Sequence, residues 1–485
     1  MRLLISRAVV GIAASTLGLT GCSAPEYPPY SSSVKYGLRQ DPILRSGAAK
    51  ELGDDRYEPD RPGLLPIMKF DDINKPDHPY HAKAKTIDDK VLRDPTKIPE
   101  QFRKDLEEQL VARFGTPAQP TVNVKGIGKD AVEQEGVDAA IEELKLDDKT
   151  LEKGSRHFRV HCVHCHGVPG DGRGPTARWI NPHPRDFRAG MFKFQSIDRT
   201  ASSARPPARA DLLRTLRNGI EGTAMPTFVL LSDEELESLI SYVIHLSLRG
   251  SAEMTTIVQA FGYEKGALTW KEDEGSMEDN VKVYTALFLK DWAKSNQPAS
   301  AIKVRPYPYD ENDPDYLGKT LPESVKRGQQ IFTAEISNEF KKEFHDRLFP
   351  KAFADAKKAA QAQGNKEAEA KIAKEVETAV DAKVLSTLTA AKCMSCHTDY
   401  GRQARFKFDE WGTLVRPNNL PQGALRGGKR PVDIYYRIHS GIPGSEMTPF
   451  GKTFEGNEQY LWDLVNFVSV LPYERMRETL KLRID

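Results

Sequence analysis

Apolar residues recur at helical spacing in several separate stretches of this chain. Phe102, Leu106, Leu110 and Phe114 fall at four-residue intervals, which predicts an amphipathic helix over 99–114. A second helix is expected over 131–144 and another over 280–294. Leu236, Leu239, Ile240, Val243 and Ile244 mark one further apolar face, and Leu461, Leu464, Val465 and Val468 mark its counterpart near the other end of the chain. Residues 23 to 120 otherwise show little periodicity and many Pro, Asp, Lys and Tyr, as in Pro28-Pro29 and Ser31-Ser32-Ser33. That stretch reads as an extended arm, a tether or a wrap around a partner.

The helical patterns belong to an internal repeat. Lys153-Gly154-Ser155-Arg156-His157-Phe158 precedes Cys162-Val163-His164-Cys165-His166. Lys326-Arg327-Gly328-Gln329-Gln330-Ile331-Phe332 precedes Cys393-Met394-Ser395-Cys396-His397. Further on, Gly219, Ile220, Gly222, Met225 and Phe228 recur at the same offsets as Gly441, Ile442, Gly444, Met447 and Phe450. The apolar helix then closes each copy. The copies differ at 333–391, an Ala/Lys/Glu-rich insertion with ten acidic and ten basic residues. Pro350 and Gly364 are expected to break it into helical pieces, giving a helical hairpin that is either a spacer or a docking element.

The resulting division is 1–21 leader, 22–145 N-terminal arm with short helices, 146–250 first unit, 251–318 linker with one helix, 319–472 second unit and 473–485 tail. The length of 485 residues fits this count at ~150 residues per domain. With 39% hydrophobic residues the chain can build cores, which excludes a wholly disordered protein. No apolar run of ~18 residues occurs beyond the first twenty positions, which excludes a polytopic membrane protein. Net charge is +1, from 70 Lys and Arg against 69 Asp and Glu, so there is no global basic field for nucleic acid.

Arg2 and Arg7 precede the apolar stretch Ala8 to Leu19 and then Leu19-Thr20-Gly21-Cys22. This resembles a bacterial lipoprotein signal, with Cys22 as the lipidated first residue of the mature chain; an uncleaved N-terminal anchor is the alternative. Both place the protein outside the cytoplasm, anchored to a membrane. Loss of the two leader arginines leaves 68 − 69 = −1.

The remaining four cysteines form two C-x-x-C-H sequences, the attachment pattern of c-type haem. Cysteines at i and i+3 share a helix face and can form thioethers to two haem vinyls, while the adjacent histidine reaches the iron. Cys162 and Cys165 with His166, and Cys393 and Cys396 with His397, are thus the expected attachment and proximal groups of two covalently bound haem c. Zinc would need four ligands together, whereas the pairs lie 228 residues apart, 393 − 165. A redox dithiol would sit near a βαβ pattern that is missing. His161 and His164 read as helix-surface residues. Met225 and Met447, 63 and 54 residues after the first Cys of their units, sit in matching Gly-containing loops, and are the expected sixth ligands; methionine there raises the reduction potential.

With helix, CxxCH, Gly/Pro loop, Met loop and closing helix in order, each repeat resembles a class I c-type cytochrome domain. The resemblance implies a mainly α fold with two such domains in tandem. It implies a proline carbonyl accepting the proximal His N–H: Pro175 in Gly172-Arg173-Gly174-Pro175, and Pro417 or Pro421 in the second unit. Haem propionates would need cations, with Arg178, Arg185 and Arg188 near the first site and Arg416, Arg426 and Arg430 near the second as candidates. Residues 160–219 carry ten Lys and Arg against four Asp and Glu, a basic rim suited to an acidic redox partner. The expected function is electron transfer outside the cytoplasmic membrane, between a quinol-oxidising complex and a terminal oxidase or as a subunit of such a respiratory complex. A dihaem peroxidase is the catalytic alternative, which an open sixth site would distinguish. A permanently bound subunit with an internal haem wire is the structural one.

Overall fold

The computed structural model describes residues 27–44, 91–126, 131–200, 206–264, 267–271, 275–362, 369–405, 407–411 and 413–484. The expected leader with Cys22 and most of the Pro-rich stretch lie outside the described residues. Among the described residues helices dominate, and the strands pair as three two-stranded antiparallel ladders, β1 (Ile43–Leu44) with β2 (Val91–Arg93), β3 (Phe261–Glu264) with β4 (Ala267–Trp270), and β5 (Lys407–Phe408) with β6 (Leu414–Val415). No helix among the described residues is long and apolar enough to cross a membrane.

The first helical core is assembled from α1 (Glu100–Phe114), α2 (Ala131–Glu143), α3 (Asp148–His161), α4 (Val163–His166), α5 (Arg209–Asn218), α6 (Asp233–Ala260) and α7 (Met277–Asn296). α3 starts at Asp147, whose carboxylate accepts from the Thr150 amide, and it ends at Cys162. α6 starts with a capping box in which Ser232 and Glu235 satisfy each other's backbone amides. α3 and α6 cross at Gly154, where a Cβ would lie 2.1 Å from the Ser238 carbonyl oxygen. Only glycine permits backbones to approach so closely.

Two sequence expectations are corrected here. α6 continues to Ala260, and Ala252, Ile257, Phe261, Leu268, Leu289 and Trp292 are all buried in the first core. Positions 238–253 of α6 are buried without a break, polar and charged residues among them, so polarity does not mark an exposed face there and gives no sign of where the helix stops. Residues 251–296 of the linker expected over 251–318 are therefore part of the first core. The arm is also less free than its composition implies. Leu106, Leu110, Phe114, Val137 and Leu144 are core residues. The described residues 27–44 are clamped onto α3 and α6 by Arg159 Nη1 to the Pro28 carbonyl (2.9 Å), Tyr36 to the Tyr242 hydroxyl (3.0 Å) and Arg249 Nη2 to the Gly37 carbonyl (2.6 Å).

The second core contains α8 (Leu321–Thr333), α9 (Asn338–Ala362), α10 (Glu369–Thr389), α11 (Pro431–Ser440), α12 (Gln459–Val470) and α13 (Glu474–Thr479). α8 and α12 repeat the earlier crossing: a Cβ at Gly328 would lie 2.0 Å from the Asp463 carbonyl oxygen. The insertion forms the paired helices α9 and α10, rooted in the core by Phe340, Phe344, Val380, Val384 and Leu388. α9 runs through Pro350 rather than stopping there. Asp346, whose carbonyl loses its helical partner to the proline, is exposed, so water can take its place. Gly364 lies outside the described residues. The expected tail also packs, with Ile484 buried in the second core.

The two cores touch at several points, residues 191–200 among them. The Ile302 amide donates to the Ser196 carbonyl, and the Asp198 amide donates to the Ser300 carbonyl, both at 2.9 Å. Lys193 and Asp409 form an ion pair at 3.0 Å, and Lys429 reaches Glu221 at 2.6 Å.

Candidate haem sites

At the first site, α3 ends at Cys162 and the chain turns at once into the single turn of α4. The Cys165 and His166 amides both donate to the Cys162 carbonyl, at 3.1 and 2.9 Å. At the second site the Cys396 and His397 amides donate to Cys393 in the same way, at 3.2 and 2.8 Å. The two C-x-x-C-H sequences thus adopt the same compact turn although only the first directly continues a long helix.

Both histidines are held by one ring nitrogen. His166 Nδ1–H donates to the Arg185 carbonyl at 3.0 Å, and Phe187 stacks on the imidazole with centroids 4.5 Å apart. His397 Nδ1–H donates to the Asn418 carbonyl at 3.2 Å. A carbonyl can only accept, so Nδ1 carries the proton and Nε2 keeps its lone pair for a metal. Burial holds His166 neutral, with its pKa pushed down to about 4, and lowers that of His397 as well. These contacts correct the proline expectation: Pro175 is exposed in a turn, and the acceptors are Arg185 and Asn418 rather than Pro175, Pro417 or Pro421. The acceptor is a backbone carbonyl, so the side chain that carries it leaves no signature in sequence.

The methionine loops match bond for bond. The Ile220 amide donates to the Met225 carbonyl at 3.1 Å, and the Ile442 amide donates to that of Met447 at 2.9 Å. The Met225 amide donates to Thr223 Oγ1 at 3.1 Å, and the Met447 amide to Ser445 Oγ at 3.2 Å. Phe228 and Phe450 tie each loop back to the preceding helix at the Leu216 and Ile438 carbonyls. Gly219 and Gly441 have φ of +64° and +67°, which a side chain would strain. Met225 packs, partly buried, against the core that holds Cys162.

At the second site the predicted residues meet around one cavity of about 410 Å³, lined by Cys393, Cys396, His397 and Met447. Arg416 and Arg426 line it too, as do Arg437 and, from the first core, Lys193 and Phe194. Arg437 Nη1 is buried with no hydrogen-bond partner among the described residues. A buried, half-satisfied guanidinium is costly, and burial pulls its pKa down to about 10. The residues fit a haem: two thiols and an imidazole for attachment and ligation, a thioether in the same cavity, apolar walls, and cations for carboxylates. Arg437 and Lys193 were not singled out from sequence. Arg437 lies on amphipathic α11, where it reads as a surface position, and Lys193 belongs to the other unit.

Four of the expected arginines are engaged otherwise. Arg188 is buried and bound to Asp41 at 3.0 Å and Asp186 at 2.7 Å, so it anchors the N-terminal segment. Arg430 pairs through two nitrogens with Asp433 at the start of α11. Arg178 is exposed and lies over its neighbour Trp179, 4.8 Å from the ring centroid. Arg185 holds His166 through its carbonyl, and its guanidinium faces Trp411 of the second core at 3.5 Å. Of the extra histidines, His161 packs on Tyr27 and Phe228, and His164 is exposed.

Residues 149–243 match the family described as cytochrome C oxidase, cbb3-type, subunit III. That stretch runs from α3 into α6 and includes Cys162, Cys165, His166 and Met225. The match supports a c-type cytochrome with covalently bound haem c and a redox role for this part of the chain. Residues 244–485 lie outside it. No curated protein matches the chain. Among solved structures, a chain of the Kuenenia stuttgartiensis reducing HAO-like protein complex Kustc0457/Kustc0458 is similar at 18% identity. It covers 66% of this chain and 96% of its own, with a TM-score of 0.37. That likeness is too distant to carry an inference.

Proposed function

We propose that this protein is a membrane-anchored dihaem c-type cytochrome that transfers electrons outside the cytoplasmic membrane. The observation that carries the second haem is the cavity that gathers Cys393, Cys396, His397 and Met447. Bound haem supplies a one-electron iron couple. The chain's own residues do the rest. Carbonyls of Arg185 and Asn418 fix the histidine rings with Nε2 available. The Met225 and Met447 loops, pinned by the same hydrogen bonds, would each offer a thioether as a second ligand to the iron. Arg416, Arg426, Arg437 and Lys193 supply positive charge in the second cavity. A partner with an acidic surface, from a quinol-oxidising complex or a terminal oxidase, fits the basic residues 160–219. Lipidation at Cys22 provides the anchor.

The test is haem content and the optical spectrum of protein purified from membranes. The wild type is expected to hold two c-type haems per chain, and Cys393→Ser/Cys396→Ser to hold one. The weak far-red absorption of Met-ligated ferric haem should account for both sites and should fall by half in Met447→Leu. Cys22→Ser should release the protein from the membrane fraction. A high-spin ferric site in the wild type, with turnover of hydrogen peroxide, would replace this reading with a dihaem peroxidase.

A further inference from the structure

Residues 185–194 leave the first site and enter the second. At one end, the Arg185 carbonyl accepts His166 Nδ1–H at 3.0 Å and Phe187 stacks on the same ring. At the other, Lys193 and Phe194 line the cavity of Cys393 and His397.

Arg185 belongs to both ends. Its guanidinium carbon lies 3.5 Å from the centroid of Trp411, and its Nη2 lies 3.8 Å from the fully buried carboxylate of Asp409. Asp409 is fixed independently by Lys193 at 3.0 Å and by the Trp411 and Thr413 amides, at 3.1 and 3.0 Å. Trp411 packs against Gly444, where a Cβ would come within 2.1 Å of the indole, and Gly444 has φ of +71°. Its carbonyl accepts from the Glu410 amide at 2.9 Å. Gly444 sits in the loop that carries Met447, whose amide bonds to the neighbouring Ser445. One residue thus joins the proximal histidine of the first site to the methionine loop of the second, through Trp411 and Gly444.

We propose that Arg185 is a positioning residue shared by both haem sites, holding His166 with its backbone and the Met447 loop with its side chain. The proposal rests on the dihaem reading. It follows that neither site is set by its own unit alone. The geometry of the imidazole in one unit and of the thioether loop in the other move together, because a planar cation clamped between an indole and a buried carboxylate has little freedom of its own.

The test uses full-length holoprotein. Arg185→Met keeps the backbone carbonyl and the side-chain stem and removes the guanidinium. Haem content is measured first and then the two midpoint potentials, assigned to sites by Met225→His and Met447→His, each expected to move one potential. Arg185→Met is expected to retain two haems, to shift both potentials, and to weaken the far-red band of the Met447 site. Trp411→Leu, which leaves Arg185 in place, is expected to shift both potentials in the same directions. It serves as the second variant if Arg185→Met fails to load haem. Arg214→Met removes a different contact between the cores, over Tyr436 at 6.0 Å, and is expected to leave the potential of the first site unchanged. Two bound haems with a shift confined to the first site, or with no shift, would overturn the proposal alone. Fewer than two haems in the wild type would overturn the dihaem reading, and the proposal with it.

Discussion

Gly154 and Gly328 are the points where the opening and closing helices of each repeat touch, α3 with α6 and α8 with α12. A Cβ there would meet a backbone carbonyl oxygen at 2.1 or 2.0 Å, and a helix backbone cannot yield as a flexible side chain can. Gly154→Ala and Gly328→Ala are each expected to cost about 3 kcal/mol through overpacking. Gly136 offers the opposite case: it lies in α2, and a Cβ added there would meet nothing within 4 Å among the described residues. Gly136→Ala should stabilise by about 0.4–1 kcal/mol, by restricting the unfolded chain. Denaturant midpoints of the three variants check both signs. In sequence the three glycines look alike. Only the repeat, Lys153-Gly154 against the matching Gly328, distinguishes two of them, and the reason for their place is a helix crossing that periodicity cannot show.

At the scale of elements, the insertion is a hairpin with a buried root and an exposed body. Phe344 is fully buried and packs edge-on against Tyr460 of α12 with centroids 4.9 Å apart, while Leu385 is 52% exposed. Phe344→Ala is expected to destabilise by about 3–5 kcal/mol, and Leu385→Ala by no more than ~0.5 kcal/mol. Thermal unfolding of the two variants separates an element that belongs to the core from a free spacer. Composition identified the insertion as helical and charge-balanced. It did not identify which apolar residues face inward, because that depends on α12, more than a hundred positions further along. The difference over 251–296, linker by pattern and core in space, has the same origin: the helix over 280–294 was legible, but its packing against α6, through residues such as Leu289 and Trp292, is a contact between elements that periodicity cannot show.

For the whole molecule, acid should act in two stages. His245 is fully buried, its Nε2–H donates to the Phe114 carbonyl at 2.9 Å, and burial pulls its pKa down to about 4. The unfolded chain, with an ordinary histidine near ~6.5, binds more protons between these values. Stability is therefore full above ~6.5 and falls by roughly 3 kcal/mol as pH drops to about 4. His245→Gln should remove that share of the slope and leave the share of other buried histidines whose pKa is lowered, such as His166. Asp409 follows. Burial pushes its carboxyl up, but Lys193 and Arg185 more than offset this, and its pKa is lowered on balance. Its contribution is present above the ordinary aspartate value of ~3.9 and is lost as pH falls through the lower folded value. The contact between the cores is expected to loosen in that second stage. Denaturant titrations across pH 7 to 3, with Asp409→Asn for comparison, would show whether the stages are separate.

What the sequence by itself determined is the chemistry that must be local. Thioether attachment of a haem needs cysteines three apart and a histidine beside them, and the expected groups of Cys162-x-x-Cys165-His166 and Cys393-x-x-Cys396-His397 stand together in the chain as they do in space. The repeat of Gly, Met and Phe in the two loops was equally legible, because those loops close on themselves through short-range hydrogen bonds. Tertiary structure decided everything that reaches across the chain. It chose Arg185 and Asn418 carbonyls over prolines, committed Arg188 and Arg430 to nearby acids, and brought Lys193 into a cavity built by the other core. A backbone carbonyl has no side-chain signature, and a charge has no fixed partner until packing brings one within reach.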